Sequence, residues 1–141
     1  MKIVIIDGQG GKMGSLLIEK IKNSSTLSGA EIIAIGTNSI ATASMLRSGA
    51  DAGATGENPV IVNCRDASVI AGPIGILAAD SLLGEVTPAM AVAVGQSSAQ
   101  KVLLPVNKCN HQIAGVQDLS LQELVAEAVK LIEAGAAGCD V

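Results

Sequence analysis

The chain has 141 residues, enough for one ordinary domain with a real interior, and its 13 Asp and Glu against 9 Lys and Arg leave a net charge of −4. It contains no Trp, Tyr or Phe, so it lacks both the basic face and the aromatic platforms used to bind nucleic acid, which is excluded as an expected partner. An apolar share of 49% and a mean hydropathy of +0.51 are high for a small domain, and predict apolar surface buried between copies in a homo-oligomer.

Ile3 to Ile6 is a continuous apolar run ended by Asp7-Gly8, the pattern of a strand buried on both faces. From about Lys12 to Lys22, Met13, Leu16, Leu17 and Ile21 recur at helical spacing. A polar segment then leads to a second strand over 31–36, stopped by Gly36, and to a small-residue helix from Ser39 to Arg47. The next stretch, GADAGATGEN with Asp51, Glu57 and Asn58, suits a mobile cover over a crevice, with a solvated connector as the other reading. Val60 to Val62 and Ser68 to Ala71 read as strands, and a tight turn between them would make part of the sheet antiparallel.

Gly75 to Leu83 and Pro88 to Val94 read as helices, the second capped by Thr87 with Pro88 at its first position. The apolar region from Ile74 to Gly95 is interrupted by Asp80, Glu85 and Pro88 before about 20 apolar residues accumulate, so it predicts buried helix and no membrane span. Strands are expected over Val102 to Val106 and Gln112 to Val116, joined by Asn107 to Asn110, with Pro105 placing the pair near a sheet edge. Ser120 and Glu123 have capping-box spacing and open a helix with an apolar stripe from Leu121 to Ile132, ending near Gly135. These elements make a single α/β domain over 1–134, a three-layer Rossmann-like sheet that is mostly parallel, followed by a flexible tail over 135–141.

Cys64, Cys109 and Cys139 form no CxxC pair and are odd in number, which reads as reduced thiols in a cytoplasmic protein. The N-terminus has no signal-peptide pattern. Cys109 and His111 form C-x-H without a second ligand pair, so no metal site is expected, and a buried thiol beside a turn histidine is preferred over a Cys–His nucleophile.

The chemistry concentrates in IVIIDGQGGKMG. Gly8, Gly11 and Gly14 give GxxGxxG between strand and helix, and Gly8 with Gly10 supplies the first half of GxGxxG. Bare glycines let a diphosphate approach the backbone, where helix N–H groups and the helix dipole favour an anion. A Walker A loop is excluded, because Ile6 stands where the first glycine belongs and Met13 where Ser or Thr would hold magnesium. The stretch is similar to the GxxGxMG variant of some small-substrate reductases and dehydrogenases, in which the Met packs beneath the turn and Lys12 would reach a phosphate.

An NAD site normally places an acid at the end of its second strand; here Gly36, Thr37, Asn38 and Ser39 stand there, offering neutral donors, with Arg47 one helix away. The expected ligand is therefore a phosphorylated small molecule, with NAD(P) and other nucleotides both open. Candidate contacts are Asp7, Gly8, Gln9, Gly10, Gly11, Lys12 and Gly14 at the turn, Thr37 and Asn38 beside it, and Gly72, Pro73 and Gly75 on the facing wall. Asp7 reads equally as a ligand contact or as a cap of its own turn. The rival reading is an oligomeric regulatory or scaffold module without catalysis, whose glycines serve packing.

Across residues 2 to 133 the chain resembles a domain-of-unknown-function family of small bacterial proteins, on matches to IDGQGG, GTN, GATGEN, GPIGI, LLGE-x-TPAMA, LP-x-NKCN and GV-x-DLSL. That resemblance implies no catalytic residue. A looser similarity to Rossmann nucleotide-binding proteins covers the first strand–helix–strand unit and departs from them at Thr37-Asn38.

Overall fold

A computed structural model of the chain describes residues 1–106 and 110–138. In chain order the elements are β1 (Lys2–Asp7), α1 (Lys12–Lys22), β2 (Glu31–Gly36), α2 (Ser39–Arg47), β3 (Ala52–Thr55), α3 (Glu57–Asn63), β4 (Val69–Pro73), a 3-10 turn (Ile74–Leu77), α4 (Pro88–Gln96), β5 (Gln100–Leu104) and α5 (Leu121–Gly138). The strands form one sheet in the order β3-β2-β1-β4-β5, and every neighbouring pair is parallel.

Alternation along β1 divides the interior into two layers. Ile3 and Ile5 face Leu17, Ile18 and Ile21 of α1, Met45 of α2 and Val129 and Ile132 of α5. Val4 and Ile6 face the opposite layer, with Val60 of α3 and Met90 and Val94 of α4. Because β1, β2 and β4 are covered on both faces, their residues read as continuous apolar runs without a polar side. This is the expected three-layer α/β architecture, filled without a single aromatic side chain.

The topology fixes where a ligand crevice opens. The chain runs outward from β1 through β2 to β3, then returns to lay β4 on the other side of β1. Connections therefore leave the carboxyl ends of β1 and β4 toward opposite faces of the sheet, and the gap between them is the switch point of an open α/β sheet.

Several elements differ from the sequence reading. Val60 to Val62 lie in α3, not in a strand. Pro59 falls in the first turn, where its missing N–H has no intrahelical partner to lose, and Val60 faces the core. With no strand there, no antiparallel turn joins it to β4, and the sheet is wholly parallel. The missed strand is β3, within the supposed cover, and its exposed Ala-Gly-Ala-Thr pairs with Ile33 to Gly36. Asp51 consequently sits at the amino edge, accepting from Ile32 N–H and Lys22 Nζ, each at 2.7 Å, far from the crevice.

Gly75 to Leu83 is not an α-helix but the 3-10 turn followed by a looped segment. Gln112 to Val116 form no strand, so β5 is the edge strand on that side, and it ends just before Pro105. α5 continues past Gly135 through Gly138, its Ala134, Ala136 and Ala137 being strong helix formers. Cys109, Cys139 and the 107–109 connection lie outside the described residues. Among the described residues no helix is long and apolar enough to cross a membrane.

Candidate functional site

The glycine turn begins where β1 ends. Gly11 N–H donates to Gly8 O at 2.9 Å, closing a tight turn in which Gln9 takes a left-handed φ of 50° and Gly11, the residue before α1, one of 72°. Gly8, Gln9, Gly10, Gly11, Lys12 and Gly14 are thus brought to the carboxyl edge, but they do different work. A Cβ on Gly11 would lie 2.8 Å from Ala41 Cα and 2.9 Å from its carbonyl oxygen. One on Gly14 would lie 2.5 Å from Met45 Sδ and 3.0 Å from Asp7 Cβ. These two glycines let α1 and the turn press against α2. Gly10 has nothing within 4 Å of such a Cβ, so its missing side chain leaves open space above the turn. Lys12 is exposed, and Met13 is buried in the layer that holds Leu17 and Met45.

Asp7, only 5% exposed, points under the turn rather than into the crevice. Its carboxylate accepts from Gly8 N–H and Gly14 N–H, each at 2.8 Å, and so caps the start of α1 from below. Burial pushes its carboxyl above the ordinary 3.8, the Gly14 and Gly8 N–H groups pull it back, and the nearby Glu85 charge pushes it up again. Of the two roles expected for Asp7, this geometry is the cap.

Thr37 and Asn38 follow β2 and stand beside the turn, because Asp7 pairs with Gly36 in register and Thr37 N–H donates to Asp7 O at 2.9 Å. Asn38 caps α2, accepting from Ala41 N–H at 2.9 Å, while its Nδ2 donates to Gln9 O at 2.9 Å. Arg47, at the far end of α2, lies about 12 Å down that helix and cannot serve this edge.

The residue missed from sequence is Glu85. Its Oε2 accepts from Gln9 N–H at 2.7 Å and from Thr37 Oγ1 at 3.1 Å, and its Oε1 accepts from Asn38 Nδ2 at 2.7 Å. A Cβ on Gly8 would lie 2.5 Å from that same Oε2, so Glu85 rests directly on the turn. Burial raises its carboxyl, but the hydrogen bonds from Gln9, Asn38 and Thr37 prevail and hold it below the ordinary 4.5. In the sequence Glu85 is one of two acids, with Asp80, that interrupt an apolar stretch, and it falls in the LLGE-x-TPAMA motif, neither of which signals its position.

On the facing wall, Gly72 lets β4 approach β1 closely: a Cβ there would collide with Ile6 O. Pro73 ends β4, and Gly75, in the 3-10 turn, gives its carbonyl to Ser81 Oγ. These three shape the loop that carries Glu85, and do not join Thr37 and Asn38 around its carboxylate. Elsewhere, Cys64 is buried and its thiol is pushed up to about 11 by burial, which suits a packing residue. Among the described residues no cluster of His, Cys, Asp or Glu could hold a metal ion. A cavity of about 700 Å³ is an apolar groove between α3 and α4 that includes none of the glycine-turn residues.

No curated protein matches the chain in sequence. Among solved structures it is similar to one titled as a dodecameric FMN-dependent Ubix-like decarboxylase from Escherichia coli O157:H7, at 16% identity over 94% of this chain and 76% of that one. The TM-score is 0.47, too remote a likeness to bring that protein's chemistry here. A family model, by contrast, matches residues 2–136, nearly the whole chain, and the protein therefore belongs to the family described as Domain of unknown function (DUF3842).

Proposed function

We propose that this protein binds a phosphorylated small molecule, a nucleotide such as NAD(P) being one candidate, over the glycine turn at the carboxyl edge of the sheet. One observation carries the reading: a backbone N–H (Gln9), a hydroxyl (Thr37) and an amide (Asn38), from the ends of β1 and β2, converge on a single carboxylate at the carboxyl edge of the sheet, beside its switch point. Donors gathered in this way suit an oxyanion, and the bare Gly10 leaves room for the rest of a ligand. Lys12, exposed at the first position of α1, supplies a cation next to the turn.

Gly10→Val tests this better than changes at Gly11 or Gly14, whose Cβ positions are blocked by α2. It should keep the wild-type melting temperature and weaken binding of ADP or inorganic pyrophosphate by at least about tenfold, measured by titration calorimetry. Unchanged affinity in the folded variant would sink the reading.

A second, compatible reading is self-association through α4. That helix carries no charged residue from Pro88 to Gln96, and Val92 is 53% exposed beside the groove lined by Ile61, Ala89 and Ala93. A helix apolar all round is normally covered, and a second copy is the proposed cover. Wild-type protein at micromolar concentration should sediment as an oligomer, and Val92→Glu should shift it toward monomer; a monomeric wild type would overturn this.

A further inference from the structure

The segment from Ala78 to Thr87 is folded in a costly way. Asp80, Leu82 and Leu83 have φ of 64°, 55° and 58°, and Gly84 follows at 87°. Left-handed leucines are unfavourable and persist only where the surroundings hold them, so they point to a held conformation. Leu82 and Val86 anchor the segment, at 2% and 1% exposure, while Leu83 between them is 96% exposed. Asp80 N–H donates to Val86 O at 2.7 Å and Val86 N–H to Ser81 O at 3.2 Å, closing the loop on itself. The outcome of this geometry is the placement of Glu85 on Gln9, Thr37 and Asn38. A further hydrogen bond, from Thr87 Oγ1 to Glu57 Oε2 at 2.5 Å, ties the end of the loop to the start of α3.

Resting on the phosphate reading above, we propose that Glu85 is a resident occupant of the anion seat, and that a phosphate ligand binds by displacing its carboxylate and releasing the Ala78–Thr87 loop. Two anions cannot share three neutral donors, and Asp7 beneath the turn already takes the N–H groups of Gly8 and Gly14. The ligand and Glu85 are therefore alternatives. Self-occupancy lowers the apparent affinity by the fraction of molecules in which the seat is free, and removing the carboxylate removes that handicap. The loop then reports ligand on the surface, since Leu83 and the Thr87–Glu57 contact move with Glu85.

The test compares wild type with Glu85→Ala and the size-conserving Glu85→Gln, each at a temperature well below its own melting transition. Titration with ADP and inorganic pyrophosphate should show binding about tenfold tighter in Glu85→Ala, with Glu85→Gln between. Hydrogen exchange of the Asp80 to Val86 amides should rise when ADP is added to wild type. Affinity that is equal or weaker in both variants, with wild type still binding, overturns displacement alone and makes Glu85 a ligand contact or a bystander. Absence of binding to wild type and both variants at millimolar probe overturns the phosphate reading itself, and displacement with it.

Discussion

Gly11→Ala should destabilise the protein by about 2–5 kcal/mol, although it adds only one methyl group just before a helix. Two effects combine. The residue holds φ at 72°, where a non-glycine costs about 1–2 kcal/mol. The new Cβ would also sit 2.8 Å from Ala41 Cα, and because the obstacle is backbone, α2 must shift, at about 1–3 kcal/mol. Against a total stability of about 5–15 kcal/mol, that should lower the melting temperature by about 10 °C or more. Gly10→Ala, with no atom in its way, should melt close to wild type. Equal melting of the two variants would show that the turn does not pack on α2 as described.

Asp7→Ala should have a comparable effect through unmade hydrogen bonds. It strips the partners from Gly8 N–H and Gly14 N–H, and buried donors left without an acceptor cost about 1–3 kcal/mol each, partly offset by removal of a desolvated charge. Asp7→Asn keeps one acceptor, should lose less, and isolates the titration. The folded carboxyl of Asp7 is raised above 3.8, chiefly by burial. Between the unfolded and folded pKa the native state holds a proton that the unfolded chain has released, so this group's contribution to stability falls as pH rises through that interval and levels above it. Denaturant unfolding of wild type and Asp7→Asn from about pH 3 to about pH 7 should therefore favour wild type most at the acid end. A difference independent of pH would show that Asp7 is not perturbed by folding. Glu85 has the opposite sign: held below 4.5, it stabilises the fold above that value and loses its contribution as pH falls.

Local pattern was enough for the first strand–helix–strand unit, β4, α4 and α5. Strands covered on both faces must be continuously apolar, as Ile3–Ile6 and Ile32–Ile35 are, and Thr87-Pro88 and Ser120-x-x-Glu123 are caps whose hydrogen bonds form as their spacing implies. The placing of the glycine turn between β1 and α1 was legible for the same reason, since Asp-Gly stops a strand and glycine supplies the left-handed residue at position 11. Pro105 likewise signalled an edge, because it has no N–H to give a further strand.

Tertiary structure alone decided the rest. Ala52 to Thr55 has no intrinsic reason to be a strand; it is one because the exposed edge of β2 offers unpaired backbone groups. Val60 to Val62 has β-branched residues fit for a strand, yet helix packing on Val4, Ile6 and Ile35 overrides that preference. The division of the glycines into packing positions (11 and 14) and an open one (10) depends on where α2 lies, which no spacing encodes. Glu85 is 76 residues from Gln9, and the LLGE-x-TPAMA stretch that contains it carries no recognisable chemistry; it meets Gln9, Thr37 and Asn38 only because the sheet order sets β4 beside β1 and the loop after β4 folds back over the turn. Sequence thus determined an α/β chain with a glycine turn at its first strand, through interactions a few residues long, whereas the contents of that turn were decided by contacts between distant segments.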